Sequence, residues 1–456
     1  MKKISTLILL VTLGFLFTPM AQADDAANDN ASLKAEVEAL KARLTQLETK
    51  LAAQPAAVST APAEGIPSLA IPSMVKGIGL SGYVDSIYSY NFNAPDSRAN
   101  DTARVFDRHP NSYNINAVEL VFQKPVSADS RAGFRTDLFM GNDAEVITST
   151  GLGGTAPTSN QFDLQQAYAE VLIPTSNAIK GLNDIDLKVG KFVTMNGAEV
   201  IESKDNWNTS RSLLFGFAIP FTHTGMRGTY TFNNGWDIAV GAVNGWDVTD
   251  DNNNGKTIET HVGFNNIALP GDSSLTVALQ GYFGPEQGPP QSNALNTPPA
   301  SDSNYRNLFD TVIIYKTPWK PLTLMYNYDY AGEENVITDP NSTKATLVDS
   351  VHWQGHAAYG RIDINDQWSV SGRYEYFMDH NHVRIAPATG TIPADNYWEV
   401  TGTLEYRPWK NIVTRLEYRH DDADQPSFSH AGGLAPGTRA FSDTQDTISG
   451  EVMFIF

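Results

Sequence analysis

The sequence predicts an all-β transmembrane fold: a closed antiparallel up-and-down barrel of about sixteen strands, preceded by a short N-terminal coiled-coil helix. Three observations carry this. From about residue 78 onward, apolar and polar residues alternate with a period of two. The connectors between the alternating runs are in turn short and long. The composition is rich in aromatics (10%) and poor in charge (18%), with a mean hydropathy of −0.29. That hydropathy leaves no room for a set of transmembrane helices, but it suits a wall in which only every second residue meets lipid. A soluble β-sandwich gives the same alternation with its faces reversed, so the connectors must decide.

The first 77 of the 456 residues read as three segments. Residues 1–23 have the form of a secretory signal: Lys2 and Lys3, an apolar run from Ile4 to Phe17, then Ala21-Gln22-Ala23. The apolar run is too short to cross a hydrocarbon core of roughly 30 Å as a helix. Losing Lys2 and Lys3 with the signal takes the net charge from −19 to −21. Within residues 24–53, Leu33, Val37, Leu40, Leu44, Leu47 and Leu51 fall at alternating spacings of four and three, the seam of a coiled coil. So short a helix is marginal alone, and its seam implies a homo-oligomer, a trimer being favoured. The alternative is one amphipathic helix docked on the body. Residues 54–77 hold Pro55, Pro62, Pro67 and Pro72 among Ala and Ser, an extended linker.

Residues 78–456 form the barrel, with strands expected near 78–93, 112–124, 131–140, 162–173, 184–195, 221–232, 235–247, 257–268, 273–284, 305–317, 321–331, 350–363, 366–378, 395–407, 411–420 and 443–456. In the run from Tyr397 to Arg407, for example, Trp398, Val400, Gly402, Leu404 and Tyr406 oppose Glu399, Thr401, Thr403, Glu405 and Arg407. Asn233-Asn234-Gly235, Pro270-Gly271-Asp272, Pro318-Trp319-Lys320, Asn365-Asp366 and Pro408-Trp409-Lys410 are tight-turn sequences. The other connectors are longer and, apart from 196–220, mostly polar, giving one tight rim and one elaborate rim, as in bacterial outer-membrane barrels. Trp236, Trp319, Trp368 and Trp409 lie by the short turns, and Tyr88, Tyr90, Tyr328, Tyr330, Tyr374, Tyr376 and Tyr418 by the far ends. Two aromatic belts a bilayer apart are expected where rings meet both interfaces. Phe456 ends the last strand, the kind of aromatic terminus that the barrel-assembly machinery reads. The expected partners are therefore the lipid bilayer and that machinery, in the outer membrane of a Gram-negative bacterium, with the N-terminal helix in the periplasm.

Sixteen strands enclose a lumen too wide for wall side chains to fill, which points to passive diffusion of small hydrophilic solutes and ions. The inward positions carry mixed charge: Asp137, Glu170, Asp329, Glu375, Glu399, Glu405 and Glu417 against Arg135, Lys188, Arg227, Arg373, Arg415 and Arg419. These are the expected pore-lining residues. The connector 196–220 differs from the others. Val200, Ile201, Leu213, Leu214, Phe215 and Phe217 are too apolar for a solvated tip. Such a segment can fold into the lumen, pinned by its apolar residues, with Glu199, Glu202, Lys204, Asp205 and Arg211 lining a constriction. The alternative is an external loop packed on a neighbouring subunit.

Several stretches resemble one known family. They are Gly190-Lys191-Phe192, Glu199-Val200-Ile201-Glu202, Asn206, Ser210-Arg211-Ser212-Leu213-Leu214-Phe215, Pro220-Phe221-Thr222-His223-Thr224-Gly225, Asn244-Gly245-Trp246-Asp247 with the Asp250–Asn254 run, and Gly82-Tyr83-Val84-Asp85. Together they resemble the putative β-barrel porin-2 family, the OmpL-like porins. The resemblance covers nearly the whole chain after Gly77 and implies an outer-membrane barrel with a channel role, without naming a solute. The coiled-coil segment lies outside it and is similar to the periplasmic N-terminal coiled coil of some trimeric porins.

Other chemistry finds little support. The absence of cysteine excludes disulfides and thiolate chemistry. The acidic balance excludes nucleic acid as a partner. No Gly-x-Ser-x-Gly sequence is present and nine histidines are scattered, so no enzyme is expected. No cofactor is expected apart from calcium: Asp250, Asn252 and Asn254 before Gly255 resemble part of a calcium loop, although His261 stands where its bidentate Glu belongs. Asp379, His380 and His382 could hold a divalent metal weakly. The rival reading of the whole chain is a structural barrel anchor that tethers the outer membrane to a periplasmic partner through the coiled coil.

Overall fold

A computed structural model describes residues 77–95, 103–151, 161–175, 181–287, 302, 304–338, 346–385, 394–431 and 440–456. The signal, the coiled-coil seam and nearly all of the linker lie outside the described residues.

Sixteen strands close into one antiparallel barrel. They are β1 (Gly79–Asn91), β2 (Ser112–Lys124), β3 (Ala132–Met140), β4 (Phe162–Ile173), β5 (Leu182–Val193), β6 (Thr222–Phe232), β7 (Trp236–Val243), β8 (Thr257–Leu269), β9 (Ser273–Pro285), β10 (Tyr305–Lys316), β11 (Leu322–Thr338), β12 (Thr346–Asp363), β13 (Trp368–Met378), β14 (Asn396–Trp409), β15 (Ile412–Ala423) and β18 (Thr444–Ile455). Each pairs with its sequence neighbour, and β1 closes the barrel on β18 in a register running from Tyr83↔Ile455 to Asn91↔Thr447. Closure is the physical requirement for a sheet in lipid, because an open edge would leave backbone N–H and C=O groups unpaired. Among the described residues no helix is long and apolar enough to cross a membrane.

The expected faces are realised. On β18, Ile448, Val452, Phe454 and Phe456 are exposed outward, while Thr447, Ser449, Glu451 and Met453 are buried inward. The four turn-side tryptophans, Trp236, Trp319, Trp368 and Trp409, are all exposed, and Tyr330, Tyr374 and Tyr418 are exposed at the opposite rim. The tight turns use left-handed backbone where their sequences supply it, at Gly235 (φ +86°) and at Gly271 and Asp272 (φ +75° and +58°).

The long-loop rim holds more order than its polar sequence suggests. β11 and β12 continue pairing to Thr338↔Thr346, so most of the expected loop 332–349 is a projecting hairpin. A second hairpin, β16 (Phe428–His430) with β17 (Ala440–Ser442), and a short helix, α1 (Ala144–Ile147), lie within the expected loops. The apolar core gathers inside the barrel under this rim, around Phe106, Ile147, Leu214, Phe215, Phe221, Trp246 and Trp353.

Candidate channel constriction

The segment 194–221, between β5 and β6, lies inside the barrel. Its apolar residues explain why. Ile201, Leu213, Leu214, Phe215, Ala218 and Ile219 are all buried. Phe215 packs between Phe106 and Phe221, with ring centroids 5.7 and 5.4 Å away. Trp353 of β12 donates its indole N–H to the carbonyl of Ala218 at 3.1 Å. Arg384, from the β13–β14 connector, donates to the carbonyl of Phe217 at 2.5 Å and lies 5.0 Å over the Trp246 and Trp353 rings. Its burial holds the guanidinium down to about 10. On β12, Gly355 leaves room for Leu214: a Cβ there would lie 2.6 Å from Leu214 Cδ1.

Burying a non-helical segment inside a barrel leaves backbone groups that must find partners. Strands β13 and β15 of the wall supply most of them, backed by β14 and β18. Glu375 accepts the N–H groups of Leu213 and Leu214 at 2.6 and 3.1 Å. Glu417 accepts those of Thr209 and Ser210 at 2.6 and 2.9 Å. Glu451 accepts the Thr209 hydroxyl at 2.9 Å. Three arginines capture carbonyls: Arg373 that of Ser210 (2.8 Å), Arg419 that of Arg211 (2.6 Å), and Arg415 those of Ser203 (3.0 Å) and Asn206 (2.6 Å). Each arginine is itself held by wall carboxylates, Arg373 by Glu399 at 2.6 Å and Arg415 by Glu405 at 2.8 Å. Charge-assisted bonds of this kind are about twice as strong as neutral ones. On other parts of the wall, Asn327 of β11 accepts the Ala198 N–H and Tyr83 of β1 accepts the Ser203 N–H.

The structure therefore places Arg373, Glu375, Glu399, Arg415, Glu417 and Arg419 on the inward face but buried beneath the loop, where all but Glu399, which holds Arg373, touch loop backbone rather than water. Alternation locates the face and cannot say what covers it. Glu405 sits at the lower edge of the same network, bonded to Arg361, Arg407 and Arg415. Arg135, Asp137, Glu170, Lys188 and Arg227 are also inward. They pair as Arg135–Asp137 (2.9 Å) and Lys188–Glu170 (3.6 Å), with Arg227 on Glu259 (2.7 Å). Asp329 is fully buried on β11, cross-strand from Asp310.

The five residues expected to line the constriction divide in two. Arg211 is only 5% exposed and staples the loop to itself, donating to the carbonyls of Val200, Ile201 and Thr209 at 3.1, 2.5 and 3.0 Å. Glu199 pairs with Arg373 at 2.7 Å, and Glu202 accepts from Gln165 at 2.6 Å. These three are internal struts. Val200, Lys204 and Asp205 meet water, the Asp205 side chain being 55% exposed. Two cavities open at the short-turn end of the lumen. One of ≈ 600 Å³ is lined by Arg361, Asp363, Glu405 and Arg407, and one of ≈ 760 Å³ by Arg131, Asp184 and Asp186.

Outside the lumen, Asn254 donates its N–H and amide to Asp302, and Asn252 donates to the carbonyl of Glu286. Asp379 is occupied by the N–H groups of Val383, Arg384 and Ile385. Sequence reasoning passed over Trp353, Gly355, Asn327 and Glu451. Only Gly355 carries a local signal, a lone glycine within a strand where another backbone or side chain approaches closely.

A sixteen-strand transmembrane barrel with a long segment folded into its lumen defines a porin. Over residues 77–456 the chain matches the family described as putative beta-barrel porin-2, OmpL-like, and it belongs to that family. It is an outer-membrane channel of the Gram-negative type. Among solved structures it is similar to an anion-selective porin from Comamonas acidovorans (9% identity, 83% of this chain and 99% of that one, TM-score 0.50). It is also similar to the outer membrane channel DcaP of Acinetobacter baumannii (12%, 83% and 97%, 0.49) and to OmpT, an outer membrane protein of Vibrio cholerae (12%, 83% and 97%, 0.48). At these identities the likeness is one of fold alone. No curated protein matches.

Proposed function

We propose that the chain is one subunit of a homo-oligomeric diffusion channel, a trimer joined in part by the periplasmic seam of residues 24–53. It passes small hydrophilic solutes and ions, and the loop 194–221 sets the size limit. The observation that carries this reading is the anchoring of that loop: carboxylates and arginines of β13 and β15 bind its backbone and hold it inside the lumen. A segment fixed so firmly narrows the passage permanently. The mature net charge of −21 and the water-facing carboxylate of Asp205 support a mild preference for cations.

Single-channel recording in a planar bilayer tests the reading. Discrete steps of current are expected, with a reversal potential of cationic sign in a salt gradient. A protein that inserts as a folded barrel and passes no current would defeat the channel; anion selectivity would defeat the charge assignment. Deleting residues 24–77 should weaken the oligomer, and an unchanged oligomer size would remove the role given to the seam.

A further inference from the structure

On β2 and β3, separated from the β13–β18 wall by β1, three carboxylates converge with too few cations. Glu119 of β2 and Asp137 of β3 are diagonal neighbours on the inward face, because Asp137 pairs with Val121 two residues along. Glu202 of the loop descends onto them. One oxygen from each lies within 4.8 Å of the other two. Like charges at cross-strand positions repel, and more so when desolvated.

The local partners do not settle the balance. Arg135 takes both oxygens of Asp137 through its Nε at 2.9 Å, and Gln166 donates to the same carboxylate at 2.5 Å. Gln165 donates to Glu202 at 2.6 Å, and its own carbonyl oxygen is buried without a hydrogen bond. Lys204 lies over the Tyr83 ring at 5.8 Å and is ion-paired with Asp205. Glu119 is the telling residue. It is only 1% exposed, and neither of its carboxylate oxygens has a hydrogen-bond partner. A buried acid with two oxygens free of hydrogen bonds, aimed into a group of acids, is arranged as a cation ligand would be.

We propose that Glu119, Asp137 and Glu202 bind a divalent cation, and that the ion is calcium. Calcium takes six to eight oxygens at about 2.3–2.6 Å, so oxygens on opposite sides of it stand about 4.6–5.2 Å apart; magnesium, at about 2.0–2.1 Å, draws them to about 4.2 Å. Every oxygen separation here is at most 4.8 Å, which suits either ion, so the ligand set decides: magnesium keeps several waters and takes one or two carboxylates, whereas three converging carboxylates make the flexible all-oxygen cage that calcium prefers. Three carboxylates supply up to six oxygens, with the free Gln165 carbonyl beside them. The ion joins the loop to the β2–β3 wall, beyond β1 from the arginine anchors, so that a second stretch of wall holds the constriction. The site does not depend on what the channel conducts.

The test is titration calorimetry of the full-length oligomer in detergent, first stripped with EDTA and then titrated with calcium chloride at pH 7.5. One saturable ion per subunit is expected, with magnesium bound at least tenfold more weakly. Glu119→Gln and Glu202→Gln should each lower calcium affinity at least tenfold, and the exposed turn variant Asp272→Asn should not. Calcium should also raise the thermal midpoint of the wild type relative to EDTA. If Glu119→Gln does not assemble, Glu202→Gln and the wild-type midpoint decide. No saturable binding, no calcium-dependent midpoint, or binding untouched by both substitutions overturns the proposal.

Discussion

Arg373 on the barrel wall and Glu199 on the constriction loop form an ion pair at 2.7 Å, with side chains 0% and 4% exposed. The same guanidinium reaches Glu399 at 2.6 Å and the Ser210 carbonyl at 2.8 Å, so one residue joins wall to wall and wall to loop. Arg373→Ala leaves two buried carboxylates and a carbonyl without their cation, a loss of about 3–5 kcal/mol. The loop should come free of β13, with a lower thermal midpoint and a larger, noisier single-channel current. Arg373→Lys should recover little, since an ammonium cannot reproduce the planar fork. Unchanged conductance noise in Arg373→Ala would mean that the loop is held elsewhere.

Lumen charges and loop struts should separate experimentally. The Asp205 carboxylate faces water, and its pair with Lys204 is worth about 0–1 kcal/mol at such exposure. Asp205→Asn should shift the reversal potential toward anions and leave the thermal midpoint in place. Arg211 is buried and bonded to three loop carbonyls, so Arg211→Lys should lower the midpoint, by about 1–3 kcal/mol of lost hydrogen bonding, with little change in selectivity. The opposite pattern would return Arg211 to the water-lined passage.

The contrast between these two residues shows where the sequence stops being legible. Strand period and turn chemistry are local, so sixteen strands and their faces could be read from residues such as Ile448, Val452 and Phe454. The loop's apolar content, Leu213 to Phe217, also showed that it could not stay in water. Which inward charge meets water and which meets backbone depends on contacts more than 150 positions apart, such as Glu375 with Leu213. No spacing encodes that. Both appear as a charge at an even position of a strand.

The loop between β3 and β4 carries a pH response of unusual sign. Asp143 is 1% exposed, and burial pushes its carboxyl up to about 7 despite Arg211 and Arg108 nearby. Because the folded value is raised above the unfolded one, ionisation penalises the folded state. The penalty is absent below about pH 4, grows from there to about pH 7 and is constant above. A rise of about three pH units corresponds to on the order of 4 kcal/mol. Asp143→Asn should therefore match the wild type at pH 4 and exceed it in stability at pH 8, as read by thermal unfolding. Equal stability at pH 8 would mean that Asp143 titrates normally.

Space on the wall matters as much as charge. Gly355 faces inward on β12, and a side chain there would meet Leu214 Cδ1 at 2.6 Å, the Tyr376 carbonyl at 3.0 Å and Phe377 at 3.1 Å. Leu214 is fully buried and its N–H is fixed by Glu375, so it has nowhere to retreat. Gly355→Val should overpack the loop against the wall at a cost of about 1–3 kcal/mol, lowering the midpoint and disturbing the current. Gly402, on the outward face of β14, has nothing within 4 Å of its would-be Cβ. Gly402→Val should leave both readouts unchanged, because its side chain enters lipid rather than the loop. If the two variants behave alike, Gly355 serves only strand geometry, and the close fit of Leu214 against β12 does not hold the constriction.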